Sequence, residues 1–141
     1  MPTEPTSDLD ELARAVIGAG IKVHTALGPG LLESVYELCL AHELSAQGFA
    51  VRRQVSVPIL YEGIALDEGY RIDLLVGGAL IVEVKAVETL AAIHQAQLMT
   101  YLKLSGHRLG LLMNFNVAHL RDGVRRVVYL QDAARLPERI S

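Results

Sequence analysis

The sequence of 141 residues contains one cysteine, Cys39, and no tryptophan, and aromatic residues make up only 5% of it. A single cysteine excludes an intramolecular disulfide framework and a cysteine-rich zinc site. We therefore expect Cys39 to be a buried structural thiol. The chain also lacks any apolar run near the roughly 20 residues that a membrane-spanning helix needs. Residues 1–4 show neither the basic start nor the apolar run of a signal peptide, which predicts a cytoplasmic protein.

A surplus of positive charge is absent as well. The formal net charge is −3, which argues against a protein that coats nucleic acid by bulk electrostatics. A role on nucleic acid must therefore depend on local basic patches, although short basic pairs also occur as ordinary solvated surface. The candidate patches are Arg52-Arg53, Lys103 with Arg108, and Arg121 with Arg125-Arg126.

Hydrophobic residues are abundant, at 51% of the chain, and are enough for one domain with a real core. Their helical spacing predicts a first helix over about residues 9–27, with Ser7 and Asp10 forming a capping box at its start. Gly28-Pro29-Gly30 ends that helix, and a second one is predicted over about residues 31–47. We expect the second helix to bury an apolar stripe of Leu31, Leu32, Val35, Leu38, Cys39 and His42.

From about residue 50 to residue 87 the alternation is that of β-strands, predicted at 51–59, 70–76 and 80–84 with turns at Glu62-Gly63 and Gly77-Gly78. Pro58 cannot donate to a β-ladder, so the first strand should lie at a sheet edge. A third helix is predicted over about residues 89–105, then a strand at 109–115 that is buried on both faces, then a strand at 124–130. The expected core positions of the third helix are Leu90, Ile93, Leu98, Leu102 and Tyr101.

These elements predict one α/β domain of the α+β type, with a central mixed sheet flanked by helices and the order α-α-β-β-β-α-β-β. No linker or internal repeat divides the chain. Residues 1–7 and 131–141 are expected to be flexible or peripheral tails.

Charged residues stand out on two neighbouring predicted strands. One strand carries Asp73, and the next carries Glu83-Val84-Lys85. Because side chains alternate along a strand, Glu83 and Lys85 share a face and their apolar neighbours share the other. Charges on an otherwise apolar strand are costly to bury unless they are paired or ligated. One alternative is a buried ion-pair network that only fixes the strand register.

The other alternative is a site for a divalent metal. Hard cations such as Mg²⁺ or Mn²⁺ prefer oxygen ligands, which Asp73, Glu83 and the backbone carbonyl of Val84 would supply. Lys85 would orient or deprotonate a water molecule and offset charge on a phosphorane-like transition state. The sequence has no phosphate-binding glycine loop, nucleophile elbow or histidine pair at metal-ligand spacing that would compete with this site.

The loop between these two strands decides whether the acidic side chains meet. A two-residue turn at Gly77-Gly78 pairs Val76 with Ala79, and Asp73 then faces away from Glu83. A three-residue loop pairs Val76 with Leu80 and sets Asp73 opposite Glu83. We predict the three-residue loop, although Gly-Gly usually forms two-residue turns.

At these residues the sequence resembles the PD-(D/E)XK nuclease superfamily, in which an acidic residue on one core strand is followed by Glu or Asp, any residue, and Lys on the next. Ile72 stands where the superfamily name has proline, a position that carries no chemistry. Residues 30–36, Gly-Leu-Leu-Glu-Ser-Val-Tyr, resemble the motif of the GxxExxY proteins, and residues 97–101 also follow in that family's order. The resemblance covers roughly residues 16–128 and implies a restriction-endonuclease-like core and a nuclease.

The resemblance also implies roles for residues on two helices. Glu33 would be a third acidic ligand, directly or through water, or alternatively an acid that favours the helix N-terminus. Gln97 and Tyr101 match a motif that flanks the active site in RecB-like nucleases, where they would position phosphate or stack on a base. The alternative for this pair is a hydrogen bond from helix to sheet, with Tyr101 half in the core. Tyr36 is expected to be a packing residue with a polar tip.

Two function classes follow. The first is a nuclease that uses Mg²⁺ or Mn²⁺ to hydrolyse phosphodiester bonds of DNA or RNA. Asp73, Glu83 and Lys85 would be its main residues, and the Arg52-Arg53 pair would help to bind nucleic acid. The second is a catalytically silent module of the same fold that binds nucleic acid or assembles with itself. A homodimer is plausible under either class.

Overall fold

The computed structural model describes residues 7–130, which form three α-helices and seven β-strands. In chain order they are α1 (Ser7–Leu27), α2 (Glu33–Ala46), β1 (Val51–Ser56), β2 (Ile59–Tyr61), β3 (Ile64–Leu66), β4 (Arg71–Val76), β5 (Leu80–Lys85), α3 (Ala92–Ser105), β6 (Leu109–Asn114) and β7 (Val124–Val128), with a 3₁₀ turn at Leu120–Gly123. No helix in this part of the chain is long and apolar enough to cross a membrane.

Five of the strands form one mixed sheet in the order β1-β4-β5-β6-β7. The pair β5 and β6 is parallel and is connected through α3, whereas the other neighbours are antiparallel. Every residue of β6 is buried, because helices cover both faces of the sheet. The predicted mixed α/β architecture, with a sheet flanked by helices, is therefore confirmed, as is the burial of the 109–115 strand on both faces.

The sheet separates two hydrophobic cores. The α1/α2 core includes Val76 and Val82 beneath helices α1 and α2, and the α3 core includes Ile81 and Leu98 beneath helix α3. Helix α3 lies so close to β6 that a Cβ at Gly110 would come within 2.8 Å of the Leu98 side chain. This close contact helps to fix α3, and the polar residues it carries, against the sheet.

The buried face of α2 differs from the predicted stripe. Leu31 and Leu32 precede the helix, Leu32 is 73% exposed and Leu38 is 51% exposed, while His42 is also exposed and Cys39 is half-buried against the α1/α2 core. The side chains buried instead are Tyr36, Glu37, Leu40, Ala41 and Leu44. This face turns inward because Arg53 and Gln54 satisfy the Glu37 carboxylate, while the Tyr36 ring stacks on Phe115 and its hydroxyl is satisfied by the loop before the helix.

Tyr36 confirms its expected role as a packing residue with a polar tip. Its ring is fully buried and stacks on Phe115, with the ring centroids 4.6 Å apart. Its hydroxyl donates to the Gly28 carbonyl oxygen at 2.6 Å and accepts from the Leu31 N–H at 3.1 Å. Tyr36 therefore ties the 28–32 loop to the start of α2.

The first predicted strand is two elements. Strand β1 ends at Ser56, and a small hairpin of β2 and β3 closes at Glu62-Gly63, where both residues have positive φ. Pro58 lies in the break, and β1 is an edge strand of the main sheet, as predicted. The hairpin is missed by the alternation rule because its apolar side chains are largely solvent-exposed.

Some predicted boundaries also shift. Ser7 already lies within α1, so it is neither part of a tail nor a cap that precedes the helix. Helix α3 begins at Ala92 rather than near residue 89, and Ile93 is 69% exposed instead of buried. Strand β7 ends at Val128. The rest of the predicted tails, residues 1–6 and 131–141, lie outside the described residues.

We predict that Tyr36→Phe destabilises the protein by about 1–2 kcal/mol, because two backbone groups of the 28–32 loop lose their buried partner. Urea denaturation measures this free energy. Tyr61→Phe is the matched control, since the Tyr61 side chain is largely exposed, and it should change stability by less than about 0.5 kcal/mol. Equal effects of the two substitutions would contradict the anchoring role of the Tyr36 hydroxyl.

Candidate active site

The loop between β4 and β5 has the predicted three-residue register. Val76 pairs with Leu80 and Leu74 pairs with Val82, so the next step sets Asp73 opposite Glu83. Gly77 and Gly78 both have positive φ and form a turn that the Ala79 N–H closes onto the Val76 carbonyl oxygen at 3.1 Å. The glycines do form a tight turn of the kind typical of two-residue loops, and Ala79 is the extra residue that shifts the register.

Asp73 and Glu83 each accept a hydrogen bond from the main chain of the opposite strand. The Asp73 N–H donates to Glu83 Oε2 at 3.0 Å, and the Val84 N–H donates to Asp73 Oδ2 at 2.8 Å. Each carboxylate thus accepts a main-chain donor from the opposite strand at the point where the β4–β5 ladder stops. The two acidic side chains are brought together, as the metal hypothesis requires.

Strand β4 changes face at Asp73. Leu74 and Val76 pack in the α1/α2 core, whereas Ile72 packs in the α3 core together with Leu75. Strict alternation would place Ile72, Leu74 and Val76 on one face. This change of face coincides with the end of the regular ladder, where side-chain carboxylates accept hydrogen bonds from main-chain donors.

Burial raises the pKa of both carboxyl groups. The pKa of Glu83 rises to about 8, mainly because burial disfavours its charged form and also because the negative charge of Asp73 lies beside it. Burial likewise raises the pKa of Asp73, and the hydrogen bond from the Val84 N–H partly opposes this shift. The positive charge of Lys85 favours the ionised form of both groups. Ionising both carboxyl groups therefore costs free energy, and a bound cation would offset that cost.

The residues of β5 point as the alternation predicts. Val82 and Val84 belong to the α1/α2 core, while Glu83 and the half-buried Lys85 lie on the other face. The Lys85 carbonyl oxygen accepts from the Phe115 N–H on the β6 side at 2.8 Å. Since backbone groups alternate in direction along a strand, those of Val84 face β4. The Val84 carbonyl is therefore available as an oxygen donor beside the carboxylates.

Glu33 lies at the first turn of α2, and its Oε2 accepts from the Ala86 N–H at 3.0 Å, just beyond Lys85. The helix thus brings Glu33 to the same end of β5 as the carboxylate pair. Within residues 7–130, however, no three His, Cys, Asp or Glu side chains are grouped closely enough to hold a metal together. The structure therefore brings two carboxylates together, those of Asp73 and Glu83, and places Glu33 at the same end of β5.

Helix α3 brings Tyr101 toward the carboxylates. The Tyr101 ring is 6% exposed and packs edge-on against Tyr70, with the centroids 6.4 Å apart. Burial, followed by the negative charge of Glu83, raises the pKa of its hydroxyl. A buried ring does not offer a face for base stacking, and Tyr101 packs in the α3 core, which matches the packing part of the alternative. Gln97 is half-buried in a groove of about 310 Å³ that Tyr70 and Tyr101 also line.

The basic residues predicted to bind nucleic acid lie on the edge strand β1. Arg52 is exposed, whereas Arg53 forms an ion pair with the buried Glu37, with 3.0 Å between Arg53 Nη2 and Glu37 Oε2. Arg53 therefore already has an internal partner. On β7, Arg126 pairs with Asp10 of α1 at 2.6 Å.

Sequence reasoning missed two polar residues that support the site. Gln54 has a φ of 54° and its amide contacts both Glu37 and Asp73. Asn114, at the end of β6, is 2% exposed and exchanges hydrogen bonds of 3.0 and 2.9 Å with the backbone of Val87. A polar residue that ends an otherwise apolar strand is the one pattern that would have indicated Asn114.

The mixed sheet carries Asp73 on one strand and Glu83 and Lys85 on the next, and this arrangement is typical of one class of nucleases. A family model of the PD-(D/E)XK nuclease superfamily matches residues 10–127 of the 141. The chain belongs to the PD-(D/E)XK nuclease superfamily. No curated protein and no solved structure matches it significantly.

PD-(D/E)XK nucleases generally use divalent metal ions, and the donors in this chain suit such an ion. The Asp73 and Glu83 carboxylates and the Val84 carbonyl are all hard oxygen donors, with no thiol or imidazole among them. Burial raises the pKa of both carboxyl groups, and the positive charge of Lys85 only partly opposes this rise.

We predict that the metal-free protein loses stability as the pH rises from about 5 to 8. The pKa of Glu83 is raised from 4.5 to about 8 in the folded state. The folded state therefore binds more protons in this window, and the free energy of unfolding falls with pH by roughly 2–4 kcal/mol. Urea denaturation in EDTA at several pH values measures the slope.

Glu83→Gln should flatten this pH profile, whereas Glu88→Gln, at an exposed carboxylate, should leave it unchanged. If the stability of the wild-type protein does not change with pH, Glu83 ionises in the folded state without a free-energy cost in the absence of metal, and the prediction is wrong.

Proposed function

We propose that this chain is a nuclease that hydrolyses phosphodiester bonds with Mg²⁺ or Mn²⁺ held by Asp73, Glu83 and the Val84 carbonyl. The observation that carries the proposal is the register that sets Asp73 opposite Glu83, with Lys85 on the same face of β5 as Glu83. A bound divalent ion would polarise the phosphodiester and lower the pKa of an attacking water.

The chain's own residues would then act on water and phosphate. Lys85 would orient the attacking water and offset the negative charge that develops on the phosphoryl oxygens. The water oxygen forms a bond to phosphorus as the bond to the leaving sugar oxygen breaks, and the water proton passes to solvent or to the leaving group. Glu33 would hold a water of the ion's shell, and Gln97 would contact the flanking phosphate.

A catalytically silent module is the second candidate, and one observation favours it. Each carboxylate already accepts a main-chain hydrogen bond from the opposite strand, so the pair could serve only to fix the register. In that case the protein would bind nucleic acid or a second copy of itself without turnover. Metal binding and cleavage assays separate the two candidates.

Finer features of the function are also proposals. The 30–36 segment supports membership of the GxxExxY group, and the exposed Arg52 supports contact with a DNA or RNA backbone. A homodimer and a cytoplasmic location remain predictions. A dimer would matter if the substrate is a duplex, because one site cuts one strand, and sedimentation of the purified protein tests it.

We predict that millimolar Mg²⁺ or Mn²⁺ raises the melting temperature of the wild-type protein by a few degrees relative to EDTA. A ligand present at 100 times its Kd adds about 2.7 kcal/mol to the folded state. Differential scanning calorimetry measures the shift, and Asp73→Asn should abolish it because one ligand charge is lost. A wild-type melting temperature that neither ion changes would refute the metal site.

We predict that Lys85→Ala lowers cleavage by roughly 10²-fold or more while it leaves Mn²⁺ affinity nearly intact, because lysine acts on water and phosphate and is not a ligand. Glu83→Ala should lose both properties. Lys22→Ala is the control, since Lys22 lies on α1 and pairs with Glu43. Cleavage of a labelled oligonucleotide and calorimetric Mn²⁺ titration are the measurements, and equal losses of affinity in the two site variants would contradict these roles.

A further inference from the structure

One amide group bridges two carboxylates behind the candidate site. Gln54 Nε2 donates to both oxygens of Glu37 at 3.0 Å and to Asp73 Oδ1 at 3.3 Å. Arg53, the preceding residue, donates from Nε to Glu37 Oε2 at 3.2 Å, and its Nη2 forms an ion pair with the same oxygen at 3.0 Å. A chain of contacts thus runs from Arg53 through Glu37 and Gln54 to Asp73.

The orientation of this amide follows from its partners. An ionised carboxylate only accepts hydrogen bonds, so the nitrogen of Gln54 must face both Glu37 and Asp73. The flipped amide would set its oxygen against two carboxylates. Glu37 is 5% exposed, and Arg53 supplies the charge that makes its burial tolerable.

The backbone of Gln54 is in the left-handed region, with a φ of 54°. Arg53 pairs with Leu74 and Val55 pairs with Ile72, so Gln54 lies directly opposite Asp73 in the sheet. A residue with a side chain adopts this conformation at a cost, which glycine would avoid. The hydrogen bonds of the Gln54 side chain offset that cost at the position facing Asp73.

We propose that Gln54 is a positioning residue that fixes the Asp73 carboxylate, and that Glu37, neutralised by Arg53, holds Gln54 in place. The Val84 N–H binds one oxygen of Asp73 and the Gln54 amide binds the other. An amide restrains the carboxylate without adding a positive charge that would compete with a cation. The part of the proposal that concerns metal affinity rests on the proposed function.

The proposal also gives Arg53 a structural role. Its guanidinium compensates the buried Glu37, although the Arg53 side chain is itself 40% exposed, and the neighbouring Arg52 is exposed as well. The two adjacent arginines therefore have different roles, and Arg52 is the one available to a nucleic-acid backbone.

A first experiment needs no metal. Gln54→Gly removes the amide and relieves the left-handed backbone, so the protein stays folded while Asp73 is released. Hydrogen exchange of the Val84 N–H, which binds Asp73 Oδ2, should become roughly tenfold faster or more in EDTA, because local opening becomes easier. Gln54→Asn tolerates the same φ but shortens the amide by one methylene, and it should have the same effect.

Glu62→Gly is the matched control for backbone relief. Glu62 is the other non-glycine residue with positive φ among residues 7–130, at 47°, and it lies exposed in the β2–β3 turn. This variant should leave exchange of the Val84 N–H unchanged. Unchanged exchange in Gln54→Gly and Gln54→Asn as well would overturn the positioning role.

A second experiment measures Mn²⁺ affinity by calorimetric titration. Gln54→Gly and Glu37→Gln should each weaken binding by roughly tenfold, the typical effect of residues that orient metal ligands, at a melting temperature close to that of the wild type. The double variant should lose no more than either single one, because both act through the same contact. Additive losses would show that Glu37 does not act through Gln54.

The two experiments separate the two proposals. If the wild type binds no Mn²⁺ but Val84 exchange still responds to Gln54, the metal function fails and the positioning of Asp73 stands. If the wild type binds Mn²⁺ and neither affinity nor exchange responds to Gln54, the positioning role fails and the metal function stands.

Discussion

Asp73 and Glu83 each accept a hydrogen bond from the main chain of the opposite strand, and this end of the sheet depends on that pair of contacts. It occurs where β4 changes face and the regular β4–β5 ladder stops. Two carboxylates replace the missing carbonyl acceptors, so the backbone donors stay satisfied although the ladder is broken. The same contacts hold two acidic groups together in a buried setting, where both of their pKa values rise.

The surrounding elements are arranged around this break. Helix α2 turns Tyr36 and Glu37 inward, so that Tyr36 fixes the loop before the helix and Glu37 reaches the edge strand. Just beyond this end of β5, Asn114 fixes the chain that leaves toward α3. A metal site needs ligands that do not move, and these buried polar contacts restrain the segments on either side of the acidic pair.

Much of this arrangement could be predicted from the sequence, because it depends on local periodicity. Alternation placed Glu83 and Lys85 on one face of β5, and the need to align Asp73 with Glu83 predicted the three-residue loop. The buried face of α2 could not be predicted in the same way, since Glu37 finds its partners on β1 and the Tyr36 ring stacks on Phe115 beyond β6. The role of Gln54 could not be predicted, because the hydrophobic pattern does not indicate a left-handed φ at a residue other than glycine.

The local charge balance bears on which of the two functions this arrangement suits. Four carboxylates, those of Glu33, Glu37, Asp73 and Glu83, surround the site, against the two cations Arg53 and Lys85. Below the Glu83 pKa of about 8 these groups carry a local charge of about −1, and above it about −2, and either charge repels a phosphodiester. A module that binds nucleic acid here without metal would have to overcome this repulsion. A bound divalent cation would cancel this negative charge. The carboxylates that destabilise the metal-free protein would then hold the ion that attracts a phosphate. The electrostatics therefore support the proposed metal-dependent nuclease over a module that binds nucleic acid at this site without metal.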